Sequence, residues 1–254
     1  MGQVASLHPE RLALLNQGHV AAATLTEELA VEFPVLMFAP AAPWRMEVWP
    51  EVTVGSLVRL QGEGSITRRM RLAGEILYRA WGLAGLEQLQ GHPSDTVRGW
   101  AAYGVAAAPG LTLPERLERV RIWADDDHFG VREWAWLAVR PWIAADVGAA
   151  IAVLPGWTGS PSANLRRFAV ESTRPRGVWC RHLQELKGNP ALGLPILEPL
   201  KRYPARYVQD AVGNWLHDAA KSQPEFVLGL CQRWQQKNGD LATVRICRRA
   251  LRGQ

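Results

Sequence analysis

The sequence has 254 residues, of which 48% are hydrophobic and 21% are charged, and this composition is typical of a globular protein rather than a disordered or fibrous one. No apolar run approaches the roughly 20 residues that a membrane-spanning helix needs, and the first residues lack the basic-then-apolar pattern of a secretion signal. The three cysteines are widely spaced, which favours reduced thiols. We therefore expect a cytoplasmic protein that does not contact a membrane.

The positive charge is concentrated in the last third of the sequence. Arginine supplies 25 of the 29 basic side chains, and the chain contains 12 tryptophans. Residues 1–162 carry 13 basic and 17 acidic side chains, whereas residues 163–254 carry 16 basic and 7 acidic ones, a net charge of +9. Arginine binds phosphate through planar, paired hydrogen bonds, and tryptophan offers stacking surfaces. This bias predicts a polyanionic partner, with nucleic acid first.

In chain order, a loose helical cap is followed by repeated helices. Residues 1–60 contain four prolines between positions 34 and 50, a pattern that favours short helices. From position 61 onward, similar segments recur, and three of them start at equal intervals, at positions 97, 131 and 165. The copies lie at 66–81, 97–107, 131–143, 165–177, 207–221 and 242–251.

The two central copies align without gaps, VREWAWLAVRPWI (131–143) on LRRFAVESTRPRG (165–177). Helix-starting residues precede the units, as at Ser94 and Ser162, and each Arg-Pro step predicts the end or a kink of its helix. No alternating strand pattern competes. Paired helices at this interval predict an all-α fold, an α-solenoid of HEAT-like repeats in a right-handed superhelical array. We expect one domain over residues 1–254, with the repeats beginning at position 61.

Each predicted helix has an apolar packing stripe and a separate polar stripe. The polar stripes hold Arg132, Trp136 and Arg140 in the first central helix, Arg167, Glu171 and Arg174 in the next, and Asp210, Asn214 and Asp218 in a later one. Neighbouring stripes would bring arginines, tryptophans and a few carboxylates to one concave surface. Arginines on that surface could bind DNA phosphates. A carboxylate there repels DNA, so its presence would need a separate explanation. Arg167 and Glu171 also have the spacing of a helical ion pair.

The remaining patterns predict no cofactor. The six histidines show no paired spacing for a metal, so no metal ligand is assigned. The Gly62-x-Gly64 pair lacks the strand and the Lys-Ser/Thr of a phosphate loop, and no nucleophile motif is present. Four tryptophans at helical spacing are expected in the core: Trp100, Trp123, Trp134 and Trp142.

Residues 163–221 resemble the AlkC branch of the AlkC/AlkD-like DNA alkylation repair glycosylases, most specifically at RRFAVESTRPRGVW and VGNWLHDAAK. The similarity extends over residues 90–235. It implies a HEAT-like solenoid that cups duplex DNA and excises cationic alkylpurines, of the 3-methyladenine and 7-methylguanine type, without a cofactor. A single DNA footprint favours a monomer, and we expect no Ig-like module after the repeats.

The resemblance implies roles for individual residues. Glu171 and Asp218 would be active-site carboxylates, Arg167 a contact to the DNA backbone, and Trp179 an aromatic wall beside the damaged nucleotide. Trp136 stands where the family pattern carries a glutamate, and Glu133 lies three residues earlier. The other residues expected at the DNA interface are Arg132, Arg140, Arg166, Arg174, Arg176 and Trp136.

Two other functions stay open at the level of sequence. The first is a non-catalytic HEAT-like DNA-binding protein that recognises damaged or branched DNA through the same basic face. The second is a solenoid scaffold that binds proteins, although the net charge of +9 over residues 163–254 argues against it.

Overall fold

The computed structural model describes residues 7–62, 64–236 and 240–253. Within these ranges the chain forms sixteen α-helices and five short 3₁₀ helices, and no β-strand. The all-α class predicted from helical periodicity is therefore confirmed. No helix in the described part of the chain is long and apolar enough to cross a membrane.

Most of the described helices are joined by short connections, and a longer one, 172–183, lies between the helix that ends at Glu171 and the helix that begins at Gln184. The α-helices are α1 (Pro9–Asn16), α2 (Leu25–Ala30), α3 (Phe33–Met37), α4 (Arg45–Val48), α5 (Val54–Gln61), α6 (Ile66–Glu87), α7 (Asp95–Ala107), α8 (Leu113–Ala124), α9 (Phe129–Ala145), α10 (Val147–Val153), α11 (Ala163–Glu171), α12 (Gln184–Gly188), α13 (Leu194–Leu197), α14 (Arg206–Ala220), α15 (Pro224–Gln236) and α16 (Leu241–Ala250). The 3₁₀ helices lie at Trp49–Glu51, Gln88–Gly91, Leu154–Gly159, Pro190–Gly193 and Glu198–Leu200.

The equal spacing predicted from the repeats is visible in the helix starts. α7 begins at Asp95, α9 at Phe129 and α11 at Ala163. Ser94 and Ser162, both predicted start signals, accept hydrogen bonds from first-turn backbone N–H groups of α7 and α11. Such caps satisfy N–H groups that the helix itself leaves without partners.

The two Arg-Pro steps affect their helices differently. α11 ends at Glu171, four residues before Pro175, as predicted. α9 instead continues past Pro141 to Ala145. A proline inside a helix removes one backbone hydrogen bond, so this part of α9 depends on packing, and Ile143 is fully buried there.

The chain forms two compact units. The first unit runs through Leu111 and includes Asp126–Ala138, and the second comprises Thr112–Asp125 and the chain from Val139 onward. The predicted boundary at position 60 does not coincide with this division, and the single repeat domain stays a prediction.

In the first unit, α6 and α7 approach each other closely at two glycines. A Cβ atom added at Gly74 would lie 2.5 Å from the backbone nitrogen of Gly104, so any side chain there would push the two helices apart. Trp100 and Trp134 are buried, as predicted. The core of this unit therefore combines large rings with close backbone contact.

In the second unit, α14 packs against both α11 and α16. Trp215 of α14 is fully buried and donates its indole N–H to the carbonyl of Thr173, which follows α11. Trp123 is buried as predicted, but Trp142 is 36% exposed and lies under the guanidinium of Arg116 at 3.7 Å. The prediction that Trp142 belongs to the core is wrong, because this ring forms a cation–π contact at the surface.

Candidate active site

The two candidate carboxylates stand near the ends of helices in the second unit. Glu171 is the last residue of α11, and Asp218 lies two residues before the end of α14. The apolar stripes of both helices face the core, with Phe168 and Trp215 among the buried side chains. Glu171 is 4% exposed and Asp218 is 3% exposed. Buried carboxylates need partners, because transfer of a charge from water is costly.

Arg174 is the partner that both carboxylates share. Its Nε donates to Asp218 Oδ2 at 2.8 Å, and its Nη1 donates to Glu171 Oε2 at 3.2 Å. Burial alone lowers the pKa of Arg174, but the two carboxylates outweigh this effect and raise it. The structure thus brings three of the predicted site residues, Arg174, Glu171 and Asp218, into one ion-paired cluster.

Two further cations flank this cluster. Arg167 Nη2 lies 3.7 Å from Glu171 Oε1, and Lys221 Nζ lies 3.6 Å from Asp218 Oδ1. The guanidinium of Arg167 also covers the ring of Tyr207 at 4.6 Å. The site therefore combines two carboxylates with three cations. Such a group can attract a phosphate and still hold carboxylates near a sugar.

Arg140 has a different role from the predicted one. It is 1% exposed, and its guanidinium donates to the carbonyls of Ser172, Arg174 and Arg181. Burial lowers the pKa of Arg140. Because its donors are enclosed and bonded to backbone, we withdraw Arg140 as a DNA contact and assign it to fixing the segment after α11.

That segment carries an exposed tryptophan in a strained conformation. Trp179 is 47% exposed and has φ of 58°, the one positive φ at a non-glycine residue in the described chain. A bulky side chain rarely adopts this region, and such strain is common at functional sites. The next residue, Cys180, is half-buried, and its pKa is raised by burial although Arg140 and Arg174 act to lower it. Trp179 lies in the segment between Arg174 and Arg181, whose carbonyls both accept hydrogen bonds from Arg140.

Arg166 and Arg176 both make contacts within the second unit. Arg166 Nε donates to the carbonyl of Ser160 at 2.5 Å, and its guanidinium covers the ring of Tyr203 at 4.2 Å. Arg176 Nη2 donates to the hydroxyl of Ser222 at 2.7 Å. Both arginines are half-buried, so they keep some exposed surface for a partner.

Arg132 and Trp136 belong to the first unit. Arg132 Nη1 donates to the carbonyls of Asp126 and Asp127 at the start of α9. Trp136 is 3% exposed, and its indole N–H donates to Glu133 Oε2 at 2.7 Å. An enclosed ring offers no stacking face, so the predicted DNA contact of Trp136 has no support in this conformation.

Known proteins with this architecture include a DNA-bound enzyme. The structure of the Pseudomonas fluorescens alkylpurine DNA glycosylase AlkC, bound to DNA containing an abasic site analog, matches with a TM-score of 0.66 and 25% identity, over 96% of this chain and 62% of that chain. The chain therefore has the fold of the AlkC/AlkD-like proteins. The predicted α-solenoid class is therefore confirmed.

Two further proteins are similar to this chain. The smu.31 protein of Streptococcus mutans UA159 has a TM-score of 0.59 at 20% identity, over 73% of this chain and 92% of that one. The uncharacterized protein YhaZ of Bacillus subtilis (strain 168) is 28% identical over 196 residues, which are 75% of this chain. The chain spans 50% of the length of YhaZ. No protein-family model matches it.

The sequence named the two carboxylates as candidates but did not show what holds them in place. Arg174 bridges Glu171 and Asp218, and this contact depends on the packing of α14 against α11. The sequence did not indicate that Cys180 lies near the site, because a single cysteine forms no recognisable motif. Arg140 aligns with Arg174 in the repeats, yet one is enclosed by carbonyls and the other by carboxylates.

Proposed function

We propose that this protein is a DNA repair glycosylase that hydrolyses the N-glycosidic bond of cationic alkylated purines in duplex DNA. The observation that carries the proposal is the convergence of two buried carboxylates on Arg174 in a chain with a DNA-bound glycosylase neighbour. Support also comes from the net charge of +9 over residues 163–254.

The chemistry of these lesions suits a carboxylate pair. Alkylation at N3 or N7 gives the purine a formal positive charge, so the base departs as a neutral molecule with the electrons of the glycosidic bond. The sugar is left as an oxocarbenium-like cation. A nearby carboxylate stabilises this cation electrostatically and accepts a proton from the water that attacks C1′. No metal or redox step is needed for that sequence.

Asp218 is the residue that we assign to the sugar and the water. Its Oδ2 takes both contacts to Arg174, whereas its Oδ1 faces the ammonium group of Lys221 at 3.6 Å. Glu171 supports Arg174 and adds negative charge from the other side. Trp179, which is 47% exposed, offers its ring to the cationic base, and Arg167 contacts the backbone phosphate.

The test is the release of methylated purines from methylated duplex DNA by the purified protein. Asp218→Asn should lower the rate by on the order of 10²–10³ with little loss of DNA affinity, because the amide keeps an acceptor for Arg174 but lacks the charge. Asp210→Asn is the matched control, since Asp210 lies on the same helix and pairs with Arg245 at 2.8 Å. Equal rates for Asp218→Asn and wild type would remove Asp218 from the mechanism.

A second prediction concerns the DNA contact. Arg167→Ala should weaken binding to any duplex and reduce the slope of log affinity against log salt by about 1, because one phosphate contact is lost. Fluorescence anisotropy at several salt concentrations measures both quantities. An unchanged slope would show that Arg167 makes no phosphate contact and serves only in the ion pair with Glu171.

A non-catalytic DNA-binding protein is the second candidate, and one observation favours it. Trp136 occupies the place of an expected acid and is enclosed, with its N–H bonded to Glu133. Salt-sensitive duplex binding without any base release by wild type would support this candidate over the glycosylase. Salt-insensitive binding would favour a protein-binding scaffold instead.

A further inference from the structure

Three potential metal ligands meet inside the first unit. Glu28 lies on α2, Asp95 is the first residue of α7, and His128 immediately precedes α9. One carboxylate oxygen each of Glu28 and Asp95 and a ring nitrogen of His128 all lie within 4.8 Å of one another. Asp95 is fully buried and Glu28 is 4% exposed. The cluster is remote in sequence from the carboxylates of the proposed active site.

The backbone of Ala22 fixes the orientation of two of these groups. His128 Nε2 lies 2.6 Å from the Ala22 carbonyl, so the ring donates its proton there and Nδ1 accepts a hydrogen bond from the Gly130 N–H at 3.2 Å. The Ala22 N–H donates to Asp95 Oδ1 at 2.9 Å, which leaves Oδ2 on the side of the ring, 4.0 Å from Nδ1. A histidine whose second nitrogen is bonded to a carbonyl has the typical arrangement of a metal ligand.

The remaining oxygens have no donor. Glu28 Oε1 and Asp95 Oδ2 are buried and accept no hydrogen bond from the described residues. Burial, and after it the charges of Asp95 and Glu133, raise the pKa of Glu28 to about 8. Asp95 acts electrostatically on Arg11, but the guanidinium of Arg11 donates to Glu27 and to the carbonyl of Ala21. Buried acceptor oxygens without donors require either a proton or a cation.

We propose that Glu28 Oε1, Asp95 Oδ2 and His128 Nδ1 bind a divalent transition-metal ion, with Zn²⁺ as the first choice. Two carboxylates neutralise the charge of the ion, and both imidazole nitrogen and carboxylate oxygen are ligands that Zn²⁺ accepts. Water fills the fourth position. The Gly130 N–H bond to Nδ1, at 3.2 Å, gives way to the metal. Binding joins α2, α7 and the start of α9 and so stabilises the first unit.

Gly130 provides space for the ligand carboxylate. A Cβ atom added at this position would overlap Glu28 Oε1. Gly130→Ala therefore displaces one ligand without removing any of the three. Gly229→Ala is its matched control, because the Cβ added on α15 meets only the end of Arg233, at 3.5 Å.

Two measurements on the wild-type protein test the site first. After removal of metals with a chelator, calorimetric titration with Zn²⁺ should show one equivalent bound, together with a rise in melting temperature. Co²⁺, which absorbs visible light in such sites, should occupy the same site and be displaced by Zn²⁺. Absence of stoichiometric binding to the folded protein would overturn the proposal.

Variants then locate the bound ion. Asp95→Asn keeps the acceptor for the Ala22 N–H but loses the ligand charge, and should weaken Zn²⁺ binding at least about tenfold, as Gly130→Ala should. Asp127→Asn, an exposed acid beside His128, should bind like wild type. Binding unchanged in both Asp95→Asn and Gly130→Ala would place the metal elsewhere and overturn the assignment. All readouts are independent of base release.

Discussion

Each of the two compact units contains a buried pair of carboxylates, but the pairs are neutralised in different ways. In the second unit, Glu171 and Asp218 share Arg174, with N–O distances of 3.2 and 2.8 Å. In the first unit, Glu28 and Asp95 face an imidazole, and each keeps a buried oxygen without a hydrogen bond from the described residues.

The difference shows that burial of an acid does not by itself indicate a function. A carboxylate pair with an internal guanidinium has its charge compensated within the protein. A carboxylate pair without one must obtain its positive charge from outside, either as a proton or as a metal ion. The same residue types therefore point to a catalytic site in one unit and to a metal site in the other.

Removing the internal cation of the second unit should have the largest effect. Arg174→Met should cost about 3–5 kcal/mol of the free energy of unfolding, because two buried carboxylates lose their shared partner. Lys221→Met is the control: its ammonium is half exposed and should contribute less than about 1 kcal/mol. Urea denaturation followed by circular dichroism measures both. Similar losses for the two variants would contradict the central place of Arg174.

The metal-free first unit should respond to pH. The pKa of Glu28 is raised from 4.5 to about 8 in the folded protein, so the neutral form is favoured there. Its contribution is fully present below the unfolded pKa and is lost as the pH rises through the folded one. We expect a loss on the order of 3 kcal/mol between about pH 5 and about pH 8.

The control for this pH dependence is Glu28→Gln, in which it should be absent. Urea denaturation in the presence of a chelator, at a series of pH values, provides the measurement. Addition of Zn²⁺ should remove the loss in the wild type, because the metal holds the carboxylate in its ionised form. A flat pH profile for the metal-free wild type would contradict the buried, unpartnered state of Glu28.

The smallest effect concerns the strained residue of the second unit. Trp179 has φ of 58°, which asparagine tolerates better than alanine does. Trp179→Asn should therefore be more stable than Trp179→Ala by about 0.5–1 kcal/mol, whereas both should weaken duplex binding equally through loss of the ring. Paired denaturation and anisotropy measurements test this. Equal stability of the two variants would show that the backbone conformation at residue 179 is not strained.

Repetition makes much of the fold predictable from the sequence. The equal spacing of the copies reappears as helix starts at Asp95, Phe129 and Ala163, because cap residues and apolar periodicity are local signals. The prediction for Trp142 is wrong for the same reason. Local periodicity places this residue in the core, but the nearby Arg116 holds its ring at the surface.

The candidate site is only partly predictable. Glu171 and Asp218 follow from the resemblance, and the polar stripe of α11 already contains Arg174. That Arg174 joins the two acids, and that Arg140 instead binds three carbonyls, follows from packing between segments that are distant in sequence. Aligned repeat positions can differ in burial, and sequence similarity carries no information about that difference.

The sequence by itself determined the helical repeats and the basic bias of residues 163–254, because these depend on composition and on spacing along one helix. The choice of Glu171 and Asp218 as candidate acids came from the resemblance. Tertiary structure decided which charges meet. Glu28, Asp95 and His128 lie far apart along the chain, and their lone pairs converge only when α2, α7 and the start of α9 pack together. Electrostatic energy depends on distance in space, and that distance is fixed by the folded chain.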